Sequence, residues 1–401
     1  MAVVSGARAQ TNFSTNREKL DFAEGIALLD PNENPFTLAT LKFGRGTSGN
    51  IKHSWLEDEL QPETDQNGDT ALSSSATTIT VDNNDRFAAG DLVRHDSTKE
   101  VMLVTALDGE TGIVVTRDYG QGGTPGYTAR ADTIAADDYL TIIGNAFEQG
   151  HDLPTMKSTI ETEKYNFCQD LRTPFGISEI AAAAAVRGEA DWPYQMRKNG
   201  IEHARQNEYK NFWGVPQVGD KTLYSTSNTA PATAGGAYYY INANSGSDRN
   251  ISQAELTQTE FRDGLEAMFE YGSRQKMAFC APIFRSALDY WGISKLNTFS
   301  EKTVFGMNVA KWVSSHGTII FVTHKMLKDP GSDGAFMFVF DMKHIKNITY
   351  SNIGSTRLRM LKPYESDGST IKKAEYQTIG CIEFKNAKCH GLYKGVTSYA
   401  A

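Results

Sequence analysis

Along this chain the spacing of apolar side chains changes from stretch to stretch, and one stretch carries a long helical period. Ile201, Ala204 and Phe212 fall on one face of a 3.6-residue repeat, Arg197 and Glu208 interrupt that face, and Lys198, Glu202, Arg205 and Lys210 cover the remainder. Asp191 suits an N-cap, Pro193 a first turn where a missing N–H costs nothing, and Gly214 with Pro216 a stop. The pattern predicts a helix over residues 193–213, a rod about 30 Å long. Its apolar line is thin. It reads either as a solvated surface helix or as a structural spine crossing a plate-like subunit.

Elsewhere the period is two. Ile51, His53 and Trp55 share one side of a predicted strand, and Thr77–Val81, Leu92–His95, Val101–Thr105 and Gly112–Arg117 read as short strands. Turn residues separate them at Ala89-Gly90-Asp91, Asp108-Gly109 and 120–126. Residues 63–138 therefore read as a small β-barrel or sandwich. Tyr139–Phe147 is predicted to return and pair with Ile51–Leu60, making the module an insertion at the tip of a long hairpin. Gly44, Gly46 and Gly49 match G-x-G-x-x-G, but a strand rather than a helix follows, so they read as a hinge and not as a phosphate loop.

Residues 1–24 are polar and aperiodic, an arm; Phe36–Phe43 is a short helix or strand. Val218–Arg249, with Tyr238, Tyr239 and Tyr240, reads as a surface excursion. Thr257 and Glu260 form a predicted capping box opening a helix with Phe261, Leu265, Met268 and Phe269 inward, closed by Gly272. Lys276–Cys280 is a core strand, Pro282–Trp291 a helix, and strands follow at Met307–Val313, Thr318–Thr323, Phe336–Asp341, Arg357–Lys362 and Ile371–Tyr393. The fold class is α+β. At 401 residues, two or three domains of ordinary size are expected.

Charge refines this picture. The net of −8 is unevenly distributed: residues 50–150 hold 6 basic and 18 acidic side chains, whereas residues 151–401 hold 29 and 25. The acidic stretch should be solvated and repelled by nucleic acid, and the remainder is free to pack against copies of itself. No apolar run approaches 18 residues and the N-terminus carries no hydrophobic signal, so neither membrane insertion nor secretion is expected. Cys168, Cys280, Cys381 and Cys389 lack zinc-site and disulfide-framework spacing, and buried reduced thiols are expected.

Catalytic patterns are weak. His316 and His324 flank one strand and lie too far apart to share a metal, so structural roles are expected for both. Neighbouring Cys389 and His390 point to opposite faces of a strand. No G-x-S-x-G, H-E-x-x-H or Walker sequence is present. Glu57, Asp58 and Glu59 read as a solvated run. Neither catalytic residues nor a cofactor is expected, and the chain reads as a structural or interaction protein.

The order of parts, with the segments IALLDPNENPFTLATL, IKHSWLEDEL, LRTPFGIS, FRDGLEAMFEYGSRQKMAFCAP and SHGTIIFVTH, resembles the major capsid proteins of tailed bacteriophages with the Hong Kong 97 fold, in the group that carries a β-domain in the extended loop. That resemblance implies an N-terminal arm over 1–48, an extended loop over 49–150 with the inserted all-β domain at about 63–138, a peripheral domain over 151–250 and 350–401 with the spine helix 193–213, and an axial domain over 251–349. It implies hexamers and pentamers closing into an icosahedral or prolate head around double-stranded DNA, made in the host bacterial cytoplasm and ending in the virion. Implied partners are other copies of the chain, a separate scaffolding protein, a portal, a cement protein and DNA held by weak nonspecific contact, with no membrane. Trp55, Glu57, Asp58, Arg197, Lys198, Glu202 and Arg205 are candidates for intersubunit contact. An encapsulin-like nanocompartment shell and a phage tail or surface-binding component are the alternatives.

Overall fold

All six positions of the strand Ala335–Phe340, AFMFVF, are buried, as expected where both faces of a sheet are covered. In the computed structural model this strand lies within a seven-stranded sheet, ordered Asn250–Ser252, Gly391–Val396, Ala335–Phe340, Gln275–Cys280, Thr318–Thr323, Met307–Val313, Ser300–Val304. The structure describes residues 34–68, 71–120, 133–150, 154–183, 191–218, 231–244, 246–293, 300–304, 307–328, 334–351, 359–365 and 370–400. The predicted arm over 1–24 and the loop over 121–126 lie outside them. Gln275–Cys280 runs antiparallel to Ala335–Phe340 and parallel to Thr318–Thr323. The parallel pair needs a crossover, and the helix Pro282–Ile293 lies in that connection.

Thr257 and Glu260 do form a capping box, which opens the helix Gln258–Phe269. Phe261, Leu265 and Met268 of that helix enter the core, together with Phe284, Ala287 and Leu288. Gly264 sits where Ile251 and Tyr393 press closest: an added Cβ would collide with the Ile251 methyl and the Tyr393 hydroxyl. That hydroxyl is engaged, donating to the Phe261 carbonyl at 3.0 Å.

A second sheet is organised around Ile371–Phe384. Gln169–Ser178 pairs with its first ten positions, Ile345–Tyr350 with its end, and Arg359–Glu365 with its beginning. Arg45–Ser48 adds in parallel to Ile345–Tyr350, so the glycines expected to form a hinge belong to a strand and its approach. Their small size serves close packing: a Cβ on Gly44 would lie 2.5 Å from the Ile345 carbonyl, and one on Gly46 would lie 2.6 Å from the Ile348 side chain.

Leu56–Glu163 forms a separate compact unit, distinct from the described residues up to Trp55 and from Lys164 onward. Its six strands are ordered Thr64–Gln66, Tyr139–Asn145, Asp91–His95, Val101–Asp108, Gly112–Thr116, Thr78–Thr80, over a core that includes Ile79, Phe87, Val93, Met102, Val104, Ile113 and Leu140. Arg117 and Glu100 are joined by two hydrogen bonds, at 2.7 and 2.6 Å, with both side chains nearly buried.

Two expectations are corrected. Tyr139–Asn145 pairs with Thr64–Gln66 and Asp91–His95 rather than with Ile51–Leu60, because Leu140 belongs to the module's own core. The partner of Lys52–Glu57 is Thr162–Phe167. Within the predicted surface excursion, Ala237–Asn244 is a helix whose Ala237, Tyr240 and Ile241 are buried. Their i, i+3, i+4 spacing gives it one apolar face, and the Tyr240 hydroxyl donates to the Tyr165 carbonyl at 2.7 Å.

Gly264→Ala is expected to lower stability by about 1–3 kcal/mol through overpacking, against the roughly 1 kcal/mol that alanine normally gains over glycine inside a helix. Thermal unfolding of the two proteins checks this, and an alanine variant at least as stable as the parent contradicts it.

Candidate functional site

The first turn of the helix Pro35–Phe43 has a capping problem. Pro35 has no N–H, Asn34 makes no side-chain cap, and no acidic residue occupies the first turn. The Leu38 N–H reaches the Asn34 carbonyl at 3.1 Å. The two orphans, the N–H groups of Phe36 and Thr37, donate to the two oxygens of Glu208 at 2.8 and 2.9 Å. Thr37 adds its hydroxyl to Oε2. Glu208, on the spine helix, is thus the N-cap of a helix 172 positions earlier in the chain, and its negative charge faces the positive end of that helix.

His324 completes the cluster. Its Nδ1 accepts from the Met326 N–H at 3.3 Å, so Nε2 carries the ring hydrogen and donates to Glu208 Oε1 at 2.9 Å. Asn211 donates to the Thr37 hydroxyl at 3.0 Å. Around this polar knot lies an aromatic one: the Phe36 ring is 4.7 Å from Phe212, 5.3 Å from Phe279 and 4.9 Å from Phe340, and Phe212 stands edge-on to His324 at 5.2 Å. Glu208 is fully buried.

The spine helix spans Asp191–Trp213, and its buried residues are His203, Glu208, Asn211 and Phe212. Of the thin apolar line only Phe212 is buried; Ile201 and Ala204 are half-buried. The helix rests on the second sheet through polar contacts. The Thr173 hydroxyl donates to Gln206 at 3.0 Å, so His203 Nδ1 donates to Thr173 at 2.9 Å and Nε2 accepts from Thr378 at 2.8 Å. The Tyr376 hydroxyl donates to the Met196 carbonyl at 3.1 Å. Burial, then the charge of Lys210, lowers the His203 pKa to about 4. His390 is lowered to about 3 by burial, then by Lys276.

A cavity of about 200 Å³ opens beside this seat, lined by Asn34, His203, Asn207, Lys210, Thr349 and Cys381 among others. Among the described residues no three His, Cys, Asp or Glu side chains converge as metal ligands would, and no helix is long and apolar enough to cross a membrane. His316 is exposed. His390 is saturated, accepting from the Asp341 N–H at 3.2 Å and facing the Lys385 carbonyl at 3.2 Å.

The polar hub fixes the first described helix against the spine helix and His324. The model of the family described as SU10 major capsid protein matches residues 8–397. The chain belongs to that family. It is a family of capsid structural proteins and not of enzymes. The major capsid protein of Pseudomonas phage PaMx41 is 23% identical over 285 residues, 68% of this chain and 65% of that relative, so the match spans just under two thirds of the relative's length. Among solved structures, the capsid of a native GTA particle is similar at a TM-score of 0.47 and 7% identity, over 96% of this chain and 97% of that one. An encapsulin complex from Synechococcus elongatus PCC 7942 is similar at 0.43 and 8%, over 61% and 80%. At those scores neither likeness fixes the fold.

In this SU10-family chain the seven contact candidates are differently placed. Trp55 is 6% exposed, its ring 6.0 Å from Tyr240 in the chain's own core, so it has little surface to offer. Asp58 is exposed and accepts from the Thr159 hydroxyl at 2.8 Å, and Glu57 is half-buried at the end of its strand. On the spine helix Arg197 is exposed, Arg205 is half-buried, and Lys198 and Glu202 approach to 3.9 Å across one turn, a geometry of small energetic weight. Glu208 and His324 escaped notice as a pair because they lie 116 positions apart. The available signal was a proline-led helix with no cap of its own.

Both lowered histidines are neutral in the folded protein at pH 7. Below the ordinary imidazole pKa of 6.5 the unfolded chain takes up protons that the fold refuses, so stability should fall from about pH 6.5 toward about pH 4. Thermal melts across this range are expected to show that decline and a shallower one in His203→Gln. A wild-type profile flat from pH 7 to 4.5 contradicts the assignment.

Proposed function

We propose that this chain is the shell-building subunit of a tailed-phage head with Hong Kong 97-type organisation, assembling as hexamers and pentamers around double-stranded DNA. The family match across 8–397 carries the reading. Physical features support it. Leu60, Met156 and Ile160 are 95%, 85% and 87% exposed, apolar surface that contact with a neighbouring copy would bury. Among the described residues the ribbon of Lys52–Glu57 with Thr162–Phe167 has two strands, and an unpaired strand edge is a liability alone and a template beside a neighbouring copy.

Charge supports an orientation. Leu56–Glu163 holds 6 basic and 21 acidic side chains, whereas the rest of the chain holds 34 and 27. An acidic unit exposed to the medium keeps shells apart. On this reading residues 1–48 are the arm, the two-stranded ribbon is the stem of the extended loop, Leu56–Glu163 is the domain it carries, and Asp191–Trp213 is the spine. Glu57, Asp58, Arg197, Lys198, Glu202 and Arg205 are the intersubunit charges. Scaffolding protein, portal and cement protein would be the heterologous partners, met in the host cytoplasm.

Electron microscopy of the concentrated, purified protein tests the reading. Closed icosahedral or prolate shells with six- and five-fold capsomers are expected, and particles recovered from producing cells should hold nuclease-protected double-stranded DNA. Rings or open tubes contradict a head role in favour of a tail component, and protein cargo without DNA contradicts it in favour of a nanocompartment.

A further inference from the structure

Cys168 immediately precedes the strand Gln169–Ser178, and Cys381 lies within its antiparallel partner Ile371–Phe384. The register pairs Gln169 with Gly380, which places the two cysteines opposite one another across the sheet. Their sulfurs are 3.7 Å apart and both residues are buried, although 213 positions separate them in the chain. Lys210 donates to the carbonyl of neighbouring Gly380 at 3.4 Å, and Lys210, Gly380 and Cys381 line the cavity of about 200 Å³ beside the spine helix. A small polar solute entering that cavity therefore meets a thiol backed by an ammonium and by a second thiol.

We infer that Cys168 and Cys381 form an oxidisable dithiol, which a small peroxide entering the cavity closes to an intrachain disulfide stapling the two strands together. The two sulfurs have unequal surroundings. The hydrogen bond from Cys381, and more weakly the charge of Lys210, holds the Cys168 thiol below its ordinary range, while the same bond and burial push Cys381 up. One of the two thiols reacts first, as its thiolate. It takes one oxygen from hydrogen peroxide, the O–O bond breaks, and the departing hydroxide takes up a proton as water. The other thiol then attacks the sulfenic sulfur: the S–S bond forms, the S–O bond breaks, and a second water leaves with that thiol's proton. Two thiols have lost two electrons and the peroxide has gained them. Closure needs the sulfurs to approach by about 1.7 Å, to the usual bond length of about 2.0 Å, which small side-chain and strand movements can supply because the strands are already paired.

In a reducing cytosol the pair stays open; on release into an oxidising medium it closes. That timing rests on the shell function proposed above, whereas the thiol chemistry does not. Full-length reduced protein treated with hydrogen peroxide under native conditions should lose about 2 Da. A non-reducing digest should contain the Cys168–Cys381 linked peptides, with Cys280 and Cys389 still alkylated by a thiol reagent added in denaturant. Four alkylated cysteines, or a disulfide that includes Cys280 or Cys389, would overturn the proposal. In Cys381→Ser the loss of about 2 Da is expected to vanish, and its persistence contradicts the pairing. The wild-type digest decides the pairing even where that variant does not fold. Failure of the digest leaves shell assembly untouched, and tubes in the microscope leave the dithiol untouched.

Discussion

A buried carboxylate is costly to keep, by several kcal/mol, unless hydrogen bonds replace the water it has lost. Glu208 meets that condition with four donors: two backbone N–H groups, the Thr37 hydroxyl and the His324 imidazole. They come from two distant parts of the sequence. Shifting the helix Pro35–Phe43 along or around its axis would strand the carboxylate and two helix N–H groups together, so the hub's contribution is to position as much as to stability. The Phe36 ring then falls among Phe212, Phe279 and Phe340, joining the first described helix to the spine and to the central sheet.

The same logic governs the seat of the spine helix. An apolar stripe would hold it to the sheet while leaving it free to slide, because dispersion and burial depend weakly on direction. Hydrogen bonds of His203 with Thr173 and Thr378, and of Tyr376 with the Met196 carbonyl, fix its rotation and translation. On the proposed shell function, where an error in one subunit is repeated in every copy, an orientation specified by directional bonds is a fitting solution. It also explains how so polar a helix can be a spine: its buried His203, Glu208 and Asn211 each make hydrogen bonds, while Arg197 is exposed and Lys198 and Glu202 are partly exposed.

Local patterns made much of the fold legible. The spine helix, the Thr257–Glu260 capping box, the strands Gln275–Cys280 and Thr318–Thr323 and the short strands of the acidic module each carry their own period or stop signal. Pairing is different, because period two announces a strand without naming its partner. The pattern offers Tyr139–Phe147 as a returning partner for Ile51–Leu60, whereas the strand Lys52–Glu57 pairs with one that begins at Thr162. Gly44 and Gly46 suggested flexibility when what they supply is close approach. The three tyrosines of Ala237–Asn244 looked like a loop among small residues, although Tyr240 and Ile241 sit one helical turn from Ala237. The hub was the least legible feature, because Glu208 reads as a flaw in an apolar line until the uncapped helix that needs it is known.

The central claim is that the Glu208 carboxylate holds the first turn of Pro35–Phe43 in place. Hydrogen exchange of the Phe36 and Thr37 amides in full-length Glu208→Gln tests it most directly. A glutamine presents one oxygen and one NH2 group, so one of the two amide donors must face another donor, at a cost of about 1–3 kcal/mol. Those amides should exchange on the order of 10-fold to 100-fold faster than in the parent, while amides of the strand Ala335–Phe340 keep their protection. Unchanged protection at Phe36 and Thr37 in a folded variant would contradict the account.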